Sequence, residues 1–171
     1  MASWYPGEYR PAPWYPPEYR SIREDQRLVV NDNIAPSLEG DRLLAWRKTR
    51  NRAFAQWSPV GINIRVRENN RVNRIGRVTL AFMTPEEDAE SYDIDAWHQY
   101  NENGSDWIHF EPVAVEQAFL AHSYSHLRYL VAHEFGHSLG FGHGGTGIMD
   151  QTPYHAFVNA EEIAAAQAYW L

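Results

Sequence analysis

An α+β fold, with a small twisted sheet backed by helices, is what the order of periodicities along this chain predicts. Three observations carry that expectation. Residues 61–67, Gly-Ile-Asn-Ile-Arg-Val-Arg, alternate apolar and polar with period two, the mark of a half-buried strand. Residues 77–83 and 107–110 are short apolar runs of strand length, the first apolar enough to be central. The last third instead shows helical spacing, over about Ser125 to Leu139 and again after Asn159.

In order, Leu28-Val29-Val30 is a short strand candidate. Asp41 is the expected N-cap of a backing helix, along which Leu43, Trp46, Ala53, Phe54 and Trp57 recur at helical spacing until Ser58-Pro59 ends it. After the alternating strand, Glu68 to Arg74 is a polar connection. Pro85 to Asp106 reads as one long acidic loop, with eight carboxylates and no Lys or Arg. Asn103-Gly104 turns the chain into Trp107-Ile108-His109-Phe110, and Pro112 breaks that strand. Gly140 is a C-terminal stop for the helix begun near Ser125. Asn159 and Glu162 form a capping box for a last helix whose expected apolar stripe is Ile163, Ala164, Gln167, Trp170 and Leu171.

The organisation expected is an extended Pro/aromatic segment over residues 1–26 and a folded domain over 27–171. Within the first, Trp4-Tyr5-Pro6-Gly7-Glu8-Tyr9-Arg10 recurs as Trp14-Tyr15-Pro16-Pro17-Glu18-Tyr19-Arg20, identical at six of seven positions. Proline at this density blocks helices and sheet ladders and favours polyproline-like chain. Trp and Tyr are poor residues for a tail that needs only solvation, so residues 1–20 are expected to dock, either on a protein partner or on the chain's own cleft.

With 44% hydrophobic and 14% aromatic residues in 171, the chain can bury a core. No apolar run approaches the roughly 20 residues of a membrane span, so no membrane partner is expected. The N-terminus lacks the basic and apolar regions of a signal peptide, so the expected setting is cytoplasmic, assembly-associated or exported without a leader. Without cysteine there is no disulfide, thiolate ligand or thiol nucleophile, and any metal must be held by His, Asp, Glu or carbonyl oxygen. Charge is split: residues up to Arg77 carry a net +6 and those after it −13, within a total of −7. Two mutually attracting faces of one domain explain this better than a nucleic-acid surface, and Arg42, Arg47, Lys48, Arg50 and Arg52 are read as a solvated helix face.

The chemistry concentrates in His133-Glu134-Phe135-Gly136-His137-Ser138-Leu139-Gly140-Phe141-Gly142-His143. His133 and His137 lie one helical turn apart on one face, so both imidazoles can reach one ion at the roughly 2.0–2.1 Å of a Zn–N bond. A straight helix cannot supply a third ligand, but a left-handed Gly140 would swing His143 round to the ion. Three neutral imidazoles leave the dication its full charge and one open position, where a bound water is acidified. Glu134, directly after a ligand, is placed to take that water's proton. Five such fixed positions coincide by chance only on the order of once in hundreds of thousands of chains of this length.

This His-Glu-x-x-His-x-x-Gly-x-x-His stretch resembles that of the metzincin zinc endopeptidases, and most of all their matrixin-like branch. Gly147-Ile148-Met149-Asp150 is similar to the methionine turn of that clan, with Met149 as an apolar, polarisable floor beneath the ligands. The resemblance spans residues 41–171 in element order and 133–150 by motif. It implies a metzincin-like fold, a small twisted mixed sheet with an active-site helix, a backing helix and a C-terminal helix, and with it one catalytic zinc, a shallow cleft with an edge strand that binds a protein or peptide substrate in extended form, and an S1′ pocket walled in part by Pro153 and Tyr154. Tyr154 is also a candidate oxyanion donor. The cysteine switch of matrixins has no counterpart here, and Leu38-Glu39-Gly40-Asp41 only faintly resembles the aspartate latch of astacin-like proenzymes. No matrixin-type structural zinc or calcium motif precedes the helix. Asp106, His109 and Glu111, the pair His122 and His126, and for Ca2+ Asp93, Asp95 and Glu102, are the side chains that could serve in its place. His109 is expected to be an outward strand residue, and His122 with His126 a surface pair at a helix start. The rival reading is a structural or adaptor component of a larger assembly, docking through the N-terminal repeats, with the peptidase site secondary or vestigial.

Overall fold

The computed structural model describes residues 27–70, 78–90, 94–100, 106–144, 147–150 and 157–170. The tandem repeat, Asp93, Glu102, the Asn103-Gly104 turn, Pro153 and Tyr154 lie outside these. Five strands form one sheet: β1 (Arg27–Asp32), β2 (Asn63–Glu68), β3 (Val78–Phe82), β4 (Ala96–Tyr100) and β5 (Asp106–Phe110). Their order is β2-β1-β3-β5-β4, with β4 antiparallel to β5 and the other pairings parallel. Among the described residues five α-helices accompany them: α1 (Gly40–Ala55), α2 (Pro85–Glu90), α3 (Pro112–Ala121), α4 (Ser125–Ser138) and α5 (Ala160–Trp170). The fold is α+β, as the periodicities predict, and its sheet is mixed.

Alternation decides which face of the sheet meets the helices. Leu28, Val30, Val78, Leu80, Ile108 and Phe110 are buried on one side, and the register places Val30 beside Val78 and Leu80 beside Ile108. On that side Trp46 of α1 meets Phe110 edge-on at 5.7 Å. Phe54 of α1 lies 4.8 Å from Phe135 of α4, and the Trp57 indole N–H donates to the Ala132 carbonyl at 3.0 Å. α1 is therefore the backing helix that sets the position of α4. Two further bonds attach the α5 end of the chain to the region following α1: Val158 N–H donates to Gln56, and Gln167 donates to the Pro59 carbonyl.

A charged residue holds the sheet-to-α1 joint. Asp32, fully buried at the end of β1, accepts the Ile34 and Ala35 amides on Oδ1, each at 2.9 Å, and the Trp46 indole on Oδ2 at 2.8 Å. Arg50 of α1, 4% exposed, donates to the same Oδ2 and reaches Glu68 at the end of β2 at 3.0 Å. Arg47 also grips Glu68 and, with Arg50, holds its carboxyl down at about 2. On the far side of α1, Arg42 makes a two-point bridge to Glu116 of α3. Arg50 is thus an internal brace and Arg47 a half-exposed one, whereas Arg42, Lys48 and Arg52 lie on the solvated face the sequence predicts, Arg42 with its bridge to Glu116 at the surface. The Arg42 bridge also joins the basic and acidic parts of the chain.

Other expectations need correction. α1 starts one residue before Asp41 and its N-cap is Glu39, so Asp41 sits in the first turn, where its charge meets the positive end of the helix dipole. The stretch 85–106 is not one loop: it holds α2 and the edge strand β4, whose pairing with β5 is a tertiary property. Pro112 does end β5, but it also opens α3, since its missing N–H costs nothing at a first helical position. On α5 the buried line is Glu162 and Ala166, with Ala164 exposed.

Removing one partner of the buried Asp32 cluster leaves the others unpaired. Asp32→Ala should therefore cost about 3–5 kcal/mol in urea unfolding, against under about 1 kcal/mol for Arg42→Ala at the exposed bridge.

Candidate metal centre

The three histidines come together where α4 stops. Gly140 takes φ 107, a conformation that side-chain-bearing residues avoid. Its amide donates to the His137 carbonyl at 2.9 Å and that of Phe141 to the Gly136 carbonyl at 3.1 Å, the paired bonds of a Schellman stop. This stop turns the Phe141 carbonyl back onto His137, whose Nδ1 lies 2.7 Å from it. The chain then brings His143 to the site, its Nε2 3.1 Å from that of His137. One ring nitrogen from each of His133, His137 and His143 lies within 4.8 Å of the others. Gly140 therefore does what its place in the motif predicts.

A carbonyl oxygen only accepts, so the nitrogen facing it must carry the proton. His133 Nδ1 faces the Ile148 carbonyl at 2.7 Å, with the Tyr129 hydroxyl a longer 3.3 Å away, and His137 Nδ1 faces Phe141. Both Nε2 atoms are thereby left with a lone pair for a ligand role. Burial keeps the rings neutral: it lowers His133 to about 4, His137 well below its usual value, and His143 as well. The 3.1 Å between the Nε2 atoms of His137 and His143 is also close to the roughly 3.3 Å edge of a tetrahedral Zn–N set. This donor set, without thiolate or carboxylate, fits a borderline-soft dication such as zinc. Glu134, on the same helix, is 7% exposed, and burial pushes its carboxyl up to about 8.

Met149 packs against α4 beside the histidines. It is fully buried, and a Cβ added to Gly136 would lie 2.3 Å from its Sδ, so the glycine between the two helical histidines is what admits it. Glu162 holds this segment in place. Its carboxylate accepts the Ile148 amide at 3.1 Å, the Met149 amide at 2.9 Å and the Asn159 amide at 2.9 Å, while Asn159 accepts the Glu162 amide in return. The capping box is real, but its carboxylate also pins the segment whose carbonyl orients His133. That second role leaves no mark in the sequence beyond the box itself.

The remaining candidate ligands do not assemble. Asp106 is fully buried, with His98 of β4 2.5 Å away, and burial raises its carboxyl against the pull of that imidazole. His109 points to the other face of β5 but, against the expectation of an outward residue, is buried at 6% exposure, stacked on Trp97 at 4.4 Å and on Trp107 at 5.5 Å, with Glu87 3.3 Å from its Nδ1. Opposite strand faces cannot ligate one ion. Glu111 is the N-cap of α3. His122 ends α3 in a left-handed conformation, and His126 in the first turn of α4 pairs with Asp95 at 2.6 Å, which engages that calcium candidate as well. Among the described residues, His133, His137 and His143 are the one group of three or more such side chains able to hold a metal ion. No described helix is long and apolar enough to cross a membrane.

No protein-family model matches the chain, and no curated protein does. A solved structure titled "GM1 bound form of the ECX AB5 holotoxin" aligns at 14% identity over 88% of this chain and 74% of that one, with a TM-score of 0.46, a likeness too slight to carry an argument.

Two outcomes follow from this geometry. Glu162→Ala frees the amides of Ile148 and Met149, so zinc affinity, measured by chelator competition, should weaken about 10-fold or more. In the metal-free protein, His133 titrates near 4 when folded and near 6.5 when unfolded, so stability falls as pH drops between those values. Glu134 titrates near 8 folded and 4.5 unfolded, so its contribution falls as pH rises through that window. Urea unfolding of Glu134→Gln from pH 5 to 8 should lose the second trend and keep the first.

Proposed function

We propose that the chain is a zinc-dependent endopeptidase of the metzincin, matrixin-like type, hydrolysing internal peptide bonds. The observation that carries this reading is the convergence of three neutral imidazole nitrogens at the end of a helix that also bears Glu134. A zinc ion held by His133, His137 and His143 would supply a Lewis acid for the scissile carbonyl and for its developing negative charge, and would acidify a water. The residues of the chain do the rest. Nδ1–H bonds to Ile148 and Phe141 hold two of the ligand rings in one tautomer. Glu134 accepts a proton from the attacking water as the oxygen bonds to the carbonyl carbon, then delivers it to the amine nitrogen as the C–N bond breaks. A carboxyl that burial holds near 8 ionises more readily beside a dication, which suits a group that must both take and return a proton. β4, the outermost strand beyond β5, gives an extended peptide an edge to pair with beside the site.

Glu134→Ala removes the base and none of the ligands. Zinc content by metal analysis should stay at the wild-type level, while cleavage of a peptide library falls by about 10²–10⁴-fold. Undiminished cleavage would sink the assignment.

A further inference from the structure

We propose that His98 and Asp106 form a buried positioning pair that clamps the edge strand β4 to α4 and sets the ring of His137 within the metal centre. The inference rests on reading the three histidines as a metal site. Register comes first. His98 stands opposite Ile108, so Asp106, two residues along β5, is its diagonal neighbour on the helix-facing side of the sheet. There His98 Nε2 approaches Asp106 Oδ1 to 2.5 Å, with side chains 6% and 0% exposed. The other side of the His98 ring faces α4: its centroid is 5.7 Å from that of His137, tilted by 36°.

His137 is held at Nδ1 by the Phe141 carbonyl, its Nε2 lies 3.1 Å from that of His143, and its ring meets those of His133 and His143 edge-on at 5.0 and 4.7 Å. Any rotation of this ring about the Nδ1 bond displaces the opposite nitrogen, the one that faces His143. A neighbouring ring limits this only if it is itself fixed. Leucine at position 98 would fill the space but nothing would hold its angle. Histidine tied to a buried carboxylate is held at its own far end. A buried polar pair carries a desolvation cost that an apolar pair avoids, and what it returns is defined geometry. Here that geometry is delivered to a ligand ring.

A role in folding alone and a role in positioning make different forecasts for the double variant His98→Leu with Asp106→Leu, which removes both polar groups and keeps apolar volume. Positioning predicts that the metal-free variant unfolds cooperatively near the wild-type temperature, yet binds zinc about 10-fold more weakly in chelator competition, with an altered Co2+ d–d absorption spectrum. In the loaded protein kcat should fall with KM nearly unchanged. Wild-type zinc affinity and an unaltered cobalt spectrum in a folded double variant would overturn the proposal. Should that variant fail to fold, His98→Gln keeps a donor for Asp106 and removes the ring. The same spectral change is expected there, and its absence is equally decisive. A wild-type protein that takes up neither zinc nor cobalt would remove the metal site itself, an outcome distinct from the variants alone matching wild type.

Discussion

Much of the structure around His133 and His137 answers one requirement: an imidazole out of bulk water has two nitrogens, and the one not offered to a ligand must donate to something fixed. In this chain the acceptors are backbone carbonyls, those of Ile148 and Phe141. Backbone is the stiffest partner a protein can supply, provided the segment carrying it cannot move. The Schellman stop fixes Phe141, and the Glu162 carboxylate fixes Ile148. The site is thus built from the chain path on either side of α4 as much as from the helix itself.

Buried carboxylates recur at the joints. Asp32 collects two amides, an indole and a guanidinium where β1 gives way to α1, and Glu162 collects three amides where the Ile148–Met149 segment meets α5. In both cases an ionisable group sits at 0% exposure with its oxygens engaged, so little desolvation goes uncompensated. Such groups organise loops that apolar packing alone would leave poorly defined. Through Trp57, which bonds the Ala132 carbonyl and packs 5.5 Å from Phe141, the Asp32 joint is coupled by way of α1 to the end of α4.

What the sequence makes legible is whatever is encoded by local spacing. The strand at 63–68, α1, α4, the capping box of α5, the Gly140 stop and the convergence of His133, His137 and His143 all follow from periodicity or from conformations open to few residue types. What escapes depends on partners distant in the chain. β4, Ala-Trp-His-Gln-Tyr, has no alternation strong enough to stand out in an acidic stretch, and becomes a strand because β5 lies beside it. α3 carries apolar side chains on several faces, with Val113 and Leu120 exposed, so no stripe announces it. Arg47 and Arg50 of α1 look like part of a solvated face until their acceptors are known, and His98 acquires meaning only across a sheet register. Pro153 and Tyr154 belong to residues outside those described.

Because one carboxylate both completes the cap of α5 and grips the amides of Ile148 and Met149, these segments are fastened at a single point. Fraying of the first turn of α5 withdraws Asn159 from Glu162 and loosens the grip on the Ile148–Met149 segment at the same moment. The two therefore open as one cooperative unit, and the rigidity of the histidine cluster is set in part by a helix that contributes none of its imidazoles.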